Sequence, residues 1–331
     1  MGGGPSTPAL AAAVAEAGGL GFLAAGYKTA DVVRADIEAV RALTRRPFGV
    51  NLFAPPQPVA DPDAVARFAA ALDGEAERYG AALGEPRHDD DDWAAKLALV
   101  AELAVPVVSF TFGGPPRGDV RALQHAGAAV WVTVTRPEEA VAAAEEGADA
   151  LVVQGTEAGG HRATFDDAAP GDIGLLALLQ LVAGVTDLPL IATGGIMTGR
   201  GVAAVLAAGA DAAALGTAFM LCPEAATAPA HRKALTAPGD TALTRAYTGR
   251  TARGIVNRWL REHHDDAPSA YPDVHYLTAK VRAAARSAGD PDGFHLWAGQ
   301  AHTLAEAVPA GELVARLAAE ARDALRAATV R

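Results

Sequence analysis

Three apolar, strand-like segments of this chain each run into a loop that contains glycine. The segments and their loops are 150–154 with Gly159-Gly160, 190–193 with Gly194-Gly195, and 212–215 with Gly216. Glycine at the carboxyl end of a strand lets the backbone approach a ligand or another backbone closely. Successive strands that end in this way predict one rim of an α/β barrel with a ligand bound at that rim.

Apolar segments alternate with alanine-rich helical segments over most of the chain, which predicts parallel strands joined by right-handed crossovers. The predicted strands are 20–24, 48–53, 107–112, 129–134, 150–154, 190–193 and 212–215. The predicted helices are 8–17, 30–43, 120–126, 137–146, 174–182 and 201–208. The expected fold class is therefore an α/β TIM (β/α)8 barrel.

Seven strands are visible and the chain opens on a helix, so the first strand of an eight-stranded barrel is missing from the sequence. Residues 2–8 predict a strand-to-helix loop, in which Ser6 or Thr7 caps the helix and Pro8 occupies its first turn. Either the start codon is misplaced or the barrel is open. We favour a misplaced start, because an exposed parallel edge is a liability.

Two regions interrupt the alternation. Residues 54–104 are long for one crossover and contain the run His88-Asp89-Asp90-Asp91-Asp92. We expect this run to be a solvated loop without a metal, because adjacent carboxylates repel one another. Residues 236–302 are rich in Arg, His, Tyr and Trp. We therefore expect a barrel over residues 1–235, a cap or substrate-binding subdomain over 236–302, and a last barrel helix over 303–330.

Composition narrows the class of protein. The chain has 331 residues, of which 50% are hydrophobic, so it can bury a large core. Its net charge of −11 without a basic block argues against a nucleic-acid partner. We expect a cytoplasmic enzyme without a membrane partner, because neither a secretion signal nor an apolar run of about 20 residues is present. The single Cys222 excludes an internal disulfide, and the oligomeric state is left open.

Two of the glycine loops predict a phosphate site. The loops after the seventh and eighth strands of a barrel commonly bind phosphate, and here they are Thr193-Gly194-Gly195 and Ala214-Leu215-Gly216-Thr217. Each precedes a helix whose N-terminal amides can face an anion. The alternative is that these glycines only form tight turns. The third pair, Gly159-Gly160, favours a phosphorylated cofactor.

His161 is the candidate catalytic residue. It follows the glycine pair at a strand's carboxyl rim, where barrel enzymes keep their catalytic groups, and a neutral imidazole suits proton abstraction. Asn51 and Gln154 end apolar strands, and their amides match the donor and acceptor edge of a heterocycle or else satisfy local backbone. No metal site is expected, because the adjacent His263-His264 have unsuitable spacing.

With these residues in hand, the chain resembles the nitronate monooxygenase family, also called 2-nitropropane dioxygenases, which are FMN-dependent barrels. The resemblance lies in residues 3–8, 17–21, 25–27, 47–53, 157–161, 193–201 and 296–300. The loop Glu157-Ala158-Gly159-Gly160-His161 is shared with FMN-dependent enoyl reductases. Residues 25–27 together with 47–53 favour the nitronate branch.

The resemblance implies a set of roles. Asn51, Gln154 and Gly159 would contact FMN, Gly195 and the run Ala214-Leu215-Gly216-Thr217 would hold its phosphate, and His161 would be the base. The adjacent Gly160 and Gly194 complete the expected cofactor-binding set. The implied reaction oxidises alkyl nitronates, and nitroalkanes after proton abstraction by His161, with O2 as the oxidant and with a carbonyl compound and nitrite as products.

Two other functions stay open. The first is an FMN-dependent NAD(P)H oxidoreductase that reduces enoyl thioesters or quinones. The second is a flavin-binding barrel without turnover. The cap residues Tyr271, Tyr276, Lys280 and Trp297 are expected to surround a small anionic substrate.

Overall fold

The computed structural model describes residues 2–58 and 61–329. Its strands are β1 Gly21–Ala24, β2 Phe48–Phe53, β3 Val107–Thr111, β4 Ala129–Val134, β5 Ala150–Gln154, β6 Gly160–His161, β7 Leu190–Thr193, β8 Ala212–Ala214, β9 Thr241–Thr244 and β10 Ala252–Ile255. Seven of them form one parallel sheet in the order β1-β2-β3-β4-β5-β7-β8. The sheet curls into a TIM-barrel-like α/β fold, which confirms the predicted fold class.

Helices separate the strands of this sheet. They are α1 Pro8–Glu16, α2 Ala30–Leu43, α3 Pro62–Ala71, α4 Asp73–Tyr79, α5 Trp93–Glu102, α6 Arg117–His125, α7 Pro137–Glu146, α8 Leu175–Ala183, α9 Gly199–Ala207, α10 Pro229–Thr236, α11 Arg258–His263, α12 Asp273–Ser287 and α13 Ala310–Thr329. No helix in the described part of the chain is long and apolar enough to cross a membrane.

The strands form where apolar residues occur without a break. Both faces of a parallel sheet are covered, so its strands are apolar throughout rather than alternating. Val50, Phe110 and Val130 are fully buried in one core cluster, and Leu151 and Val153 are fully buried in a second. Burying one such side chain contributes about 1.5–3 kcal/mol.

The segment before α1 lies between the two edge strands of the sheet. The Ser6 hydroxyl donates to the Phe22 carbonyl in β1 over 2.8 Å, and the Thr7 hydroxyl donates to the Glu224 carbonyl, beyond β8, over 2.6 Å. Thr7 also caps α1 by accepting from the Leu10 amide, and Pro8 begins the helix. Of the two predicted caps, Thr7 is therefore the one used.

The two interruptions of the barrel pattern pack against each other. Phe68 of α3 shares a buried cluster with Tyr247, Trp259 and Leu277 of the 236–302 region. In that region β9 and β10 pair antiparallel, and β10 also pairs with β6, which follows β5. The division into a barrel and a cap stays a prediction.

Helix α13 packs on α9 and α1, and residue 330 lies outside the described residues.

The expectation of a fully solvated acidic run is wrong at Asp91. Its carboxylate lies 2.8 Å from the Nζ atom of Lys96, a lysine whose side chain is only 1% exposed. The same carboxylate accepts from the Tyr27 amide over 2.8 Å. A buried lysine requires a counter-charge, so the sequence places an aspartate one turn before it. Asp90 is exposed as expected.

We expect Asp91→Ala to lower the free energy of unfolding by about 3 kcal/mol, because the Lys96 ammonium is left buried and unpaired. Asp90→Ala is the neighbouring control and should change stability by about 0.5 kcal/mol or less. Urea unfolding at pH 7 measures both. Equal, small effects would show that the Asp91–Lys96 pair does not stabilise the fold.

Candidate active site

Three neighbouring strands end at the same level on one rim of the sheet. Gln154 of β5 is in register with Thr193 of β7, which is in register with Ala214 of β8. Their loops surround a small cleft of about 90 Å³. The cleft is lined by Gln154, Ala158, Gly159, Thr193, Gly194, Gly195, Ile196, Met197, Ala214, Leu215, Gly216, Thr217 and Gly299.

Backbone amides, rather than basic side chains, supply the positive character of this cleft. Gly194 and Gly195 have φ angles of 126° and 66°, which favour glycine over any residue with a side chain. Within residues 2–58 and 61–329, the amides of Gly195, Gly216 and Thr217 donate to no protein acceptor. Free backbone amides in glycine-containing turns can bind phosphate, so the cleft fits the phosphate of a cofactor.

Gly159 has a steric reason to be glycine. A Cβ atom there would lie 2.4 Å from the backbone carbon of Ala298 and 2.5 Å from the amide nitrogen of Gly299. The loop is held in place by Glu157, whose carboxylate accepts from the Leu175 amide at the start of α8 over 3.0 Å. The glycine therefore permits a close contact between two backbone segments at the edge of the cleft.

The two strand-end amides are engaged within the protein. Asn51 donates through Nδ2 to the Ser109 hydroxyl over 2.9 Å, and it is not among the residues that line the cleft. Gln154 donates to the His161 carbonyl over 3.1 Å and accepts from the Ala163 amide over 2.9 Å. Both side chains thus satisfy local groups, which was the alternative to pairing with a heterocycle.

His161 is held in place by the pairing of its own strand, β6, with β10 of the 236–302 region. β6 pairs with β10 so that His161 lies opposite Ala252, and the Arg162 amide donates to the Thr251 carbonyl over 2.8 Å. The Nε2 atom of His161 lies 2.9 Å from the Thr248 hydroxyl. Thr248 also donates to the Arg250 carbonyl over 3.3 Å. The hydroxyl therefore accepts from Nε2–H, and this assignment leaves Nδ1 with the lone pair.

Aromatic rings surround His161. The ring centroid of His161 lies 5.6 Å from that of Phe112, 6.0 Å from that of Tyr271 and 5.6 Å from that of Trp297. Phe112 has a φ angle of 77°, which is strained for an aromatic residue. Such strain persists only where the surroundings enforce it, and here it directs the Phe112 ring to the histidine.

Of the four residues in the 236–302 region that were expected to surround an anion, only two lie beside His161. Tyr271 and Trp297 contact the His161 ring, as the distances above show. Tyr276 instead lies under the Arg87 guanidinium, 4.0 Å from ring centroid to Cζ. Lys280 is exposed on α12. A different residue, Tyr27, completes the wall, since its ring stacks on His275 at 4.0 Å and lies 6.5 Å from the ring of Tyr271.

Two buried arginines determine the charge state of the site. Arg250 and Arg282 are 6% and 5% exposed, and neither forms a salt bridge within the described residues. Burial and then these two positive charges lower the pKa of His161 to about 3. The imidazole is therefore neutral at physiological pH, and the same burial and charges make it a weaker base than a free imidazole. Burial also raises the pKa of Tyr27 to about 12, which keeps its phenol protonated.

The sequence interpretation missed Phe112, Thr248, Arg250 and Arg282. Each lies far from His161 in sequence. Thr248 and Arg250 reach it through the pairing of β6 with β10, Arg282 through the packing of α12, and Phe112 from the end of β3. One usable signal was Gly249, whose φ of 77° and close approach to the Ala270 carbonyl require glycine. A glycine between Thr248 and Arg250 indicates a backbone turn that presents both side chains.

One group of three potential metal ligands occurs in the described part of the chain, formed by Glu75, Glu262 and His263. The Arg258 guanidinium already donates to both oxygens of Glu75, over 2.7 Å at Oε2, and to Glu262 over 2.6 Å. A metal cation at this group would have to displace the Arg258 guanidinium, which already neutralises the two carboxylates. The group is therefore a structural ion-pair network that joins α4 to α11.

Comparisons with known proteins agree with this geometry. A family model described as nitronate monooxygenase matches residues 1–320. A nitronate monooxygenase of Pseudomonas aeruginosa is 44% identical, over 96% of this chain and 94% of that protein. The crystal structure of a nitroalkane oxidase from Streptomyces ansochromogenes is 53% identical, with a TM-score of 0.97 over 99% of this chain and 95% of that one. FabK from Thermotoga maritima is 27% identical, with a TM-score of 0.77 over 98% and 92% of the two chains.

Buried neutral histidines make the fold sensitive to acid. The pKa values of His161, His231 and His275 are lowered by burial to about 3, 4 and 2. As the pH falls below about 6.5, the unfolded chain takes up these protons first, so stability decreases. We expect the free energy of unfolding to fall between pH 7 and 5, by up to about 1.4 kcal/mol per pH unit for each histidine.

We plot the free energy of unfolding against pH. His231→Gln should reduce the slope of this plot by the contribution of one histidine, whereas His125→Gln, at an exposed position, should leave the slope unchanged. Urea unfolding at pH 7, 6 and 5 measures the three proteins. The same slope in wild type and His231→Gln would contradict a buried neutral His231.

Proposed function

Because the chain belongs to the nitronate monooxygenase family, we propose that it is a flavin-dependent enzyme that oxidises alkyl nitronates, with FMN as cofactor and O2 as oxidant. The products are a carbonyl compound and nitrite. The observation that carries this proposal is the arrangement of His161 beside the glycine-lined cleft, with two uncompensated arginines next to the imidazole. Family membership makes the protein an oxidoreductase that acts on small molecules.

The cleft fits FMN through its free amides. In our proposal, Gly194, Gly195, Gly216 and Thr217 hold the phosphate, because free backbone amides in glycine-containing turns can bind phosphate without a basic side chain. Ala214 and Leu215 line the same cleft. A bound flavin supplies acceptance of two electrons from substrate and their transfer to O2.

We assign the ring system of the cofactor to Gln154 and Gly159, which line the cleft. Gly160 in β6 and Asn51 in β2, which are not part of the cleft lining, complete this assignment. The Gln154 amide retains one N–H that the bond to the His161 carbonyl does not use. These four contacts are proposals, as is the division of residues 1–235 and 236–302 between cofactor and substrate binding.

His161 is the base for neutral nitroalkanes in this account. Its Nε2–H is held by Thr248, and Nδ1 has no hydrogen-bond partner within the described ranges. Nδ1 is therefore the atom that takes the α-proton. A preformed nitronate has already lost that proton, so its oxidation does not need the base.

A second candidate function is reduction by NAD(P)H. The observation that favours it is the likeness to FabK, whose TM-score of 0.77 covers nearly the whole chain. On this interpretation His161 would donate a proton to the substrate rather than remove one. The higher identity to the nitronate monooxygenase and nitroalkane oxidase sequences, at 44% and 53%, favours the first function.

We expect His161→Asn to lower kcat/KM for nitroethane by about 100-fold or more, because a positioned base contributes 10²–10⁴ in rate. The loss for preformed ethyl nitronate should stay below about 10-fold, since no proton is removed in that reaction. Nitrite release with each substrate is the measurement. The control is His125→Asn on the exposed end of α6. Equal losses on both substrates would exclude a role for His161 as base.

A further inference from the structure

Arg250 has the features of an anion-binding residue. Its guanidinium is buried, donates to the Thr164 carbonyl through Nη2, and lies 3.9 Å above the Phe112 ring. Within residues 2–58 and 61–329, its Nη1 atom donates to no protein acceptor. A buried guanidinium held only by neutral groups has paid a desolvation cost that a bound anion would offset.

Asp167 is the acidic residue that interacts most strongly with the charge of Arg250, but both of its carboxylate oxygens already accept hydrogen bonds from other groups. Its Oδ2 accepts from the Arg245 guanidinium over 2.9 Å, and its Oδ1 accepts from the Thr251 amide over 3.0 Å. Asp167 therefore neutralises Arg245 and fixes the backbone beside Arg250. The Arg250 charge itself is left without a carboxylate contact.

Arg250 and His161 are joined through one aromatic ring and one hydroxyl group. Both side chains contact the Phe112 ring, the guanidinium on its face and the imidazole at 5.6 Å between centroids. Thr248 joins them, since its hydroxyl binds His161 Nε2 at 2.9 Å and accepts from the Arg250 amide at 3.4 Å. The Arg250 guanidinium and the His161 imidazole are therefore neighbours at the Phe112 ring.

Arg282 strengthens the positive potential of this space but does not supply the contact. Its Nε donates to the Thr278 hydroxyl over 2.8 Å, its Nη1 donates to His295 over 3.0 Å, and its Nη2 donates to the His275 carbonyl over 2.9 Å. All three nitrogens are thus occupied by neutral partners. The charge remains, and it acts on His161 at longer range.

We infer that Arg250 is the specificity-determining residue that binds the two oxygens of an anionic nitronate, so that the enzyme selects preformed nitronates over neutral nitroalkanes. This inference rests on the proposed function. A guanidinium pairs with planar, two-oxygen anions through parallel N–H donors, whereas a neutral nitro group is a weak acceptor. Nitrite, the proposed product, has the same charge and the same pair of oxygens, so it should bind at Arg250 too.

The test compares Arg250→Gln, Arg250→Lys and the control Arg253→Gln. Arg253 is a buried arginine three residues on, and its guanidinium binds the Thr156 and Thr241 carbonyls instead of facing His161. The probe is sodium nitrite, titrated calorimetrically into each purified protein. We expect Arg250→Gln to raise the nitrite Kd by about 30-fold or more, since losing one partner of a buried charged pair costs that much.

The second readout is the ratio of kcat/KM for ethyl nitronate to that for nitroethane. It should fall by about 30-fold or more in Arg250→Gln, by less in Arg250→Lys, and not in Arg253→Gln. Thermal melting verifies folding, and Arg250→Lys serves as the test if Arg250→Gln does not fold. Unchanged nitrite affinity and an unchanged ratio in a folded Arg250 variant would overturn the inference, as would equal effects of Arg253→Gln.

Failure of the proposed function gives a different result. If wild type turned over neither nitro substrate but bound nitrite through Arg250, the anion site would stand and nitronate oxidation would be wrong. If wild type oxidised nitronate without dependence on Arg250, the proposed function would stand and this assignment would be wrong.

Discussion

The pairing of β6 with β10 is the interaction on which the site depends. A two-residue strand after β5 joins an antiparallel sheet of the cap region, so that His161 lies opposite Ala252. Without that pairing the histidine would be on a free loop beyond a glycine pair. With it, the imidazole bonds to the Thr248 hydroxyl and contacts the same Phe112 ring as the Arg250 guanidinium. In our proposal, the barrel rim binds the cofactor, and the turn before β10 supplies the groups that act on the substrate.

Burial of charge gives this space its chemistry. Arg250 and Arg282 are removed from water without carboxylate partners, which is costly in a folded protein. Their charges disfavour protonated His161 and favour an anion next to it. The neutral imidazole and the proposed attraction for an anion are therefore two consequences of one arrangement. The strained Phe112 belongs to it as well, because its ring contacts both the guanidinium and the imidazole.

The strands of the sheet could be predicted from the sequence because apolar segments bounded by glycine and proline are local signals. The bounds of β2, β4, β5 and β7 were predicted correctly for that reason. The glycine loops were also local, and Gly194, Gly195 and Gly216 line one cleft. The electrostatic partners were not predictable, since Arg250 meets Phe112 across a separation that only tertiary packing closes. Asp91 shows the same limit, because its partner Lys96 resembled an ordinary helical lysine until its burial was known.

The proposed activity is oxidation of alkyl nitronates beside His161. It is tested most directly by the visible absorbance of the purified flavoprotein, mixed without oxygen first with ethyl nitronate and, in a parallel sample, with NADH. The account predicts rapid loss of flavin absorbance with the nitronate and none with NADH, followed by recovery when O2 is admitted. Loss of absorbance with NADH alone would contradict the account and assign the protein to the reductase branch.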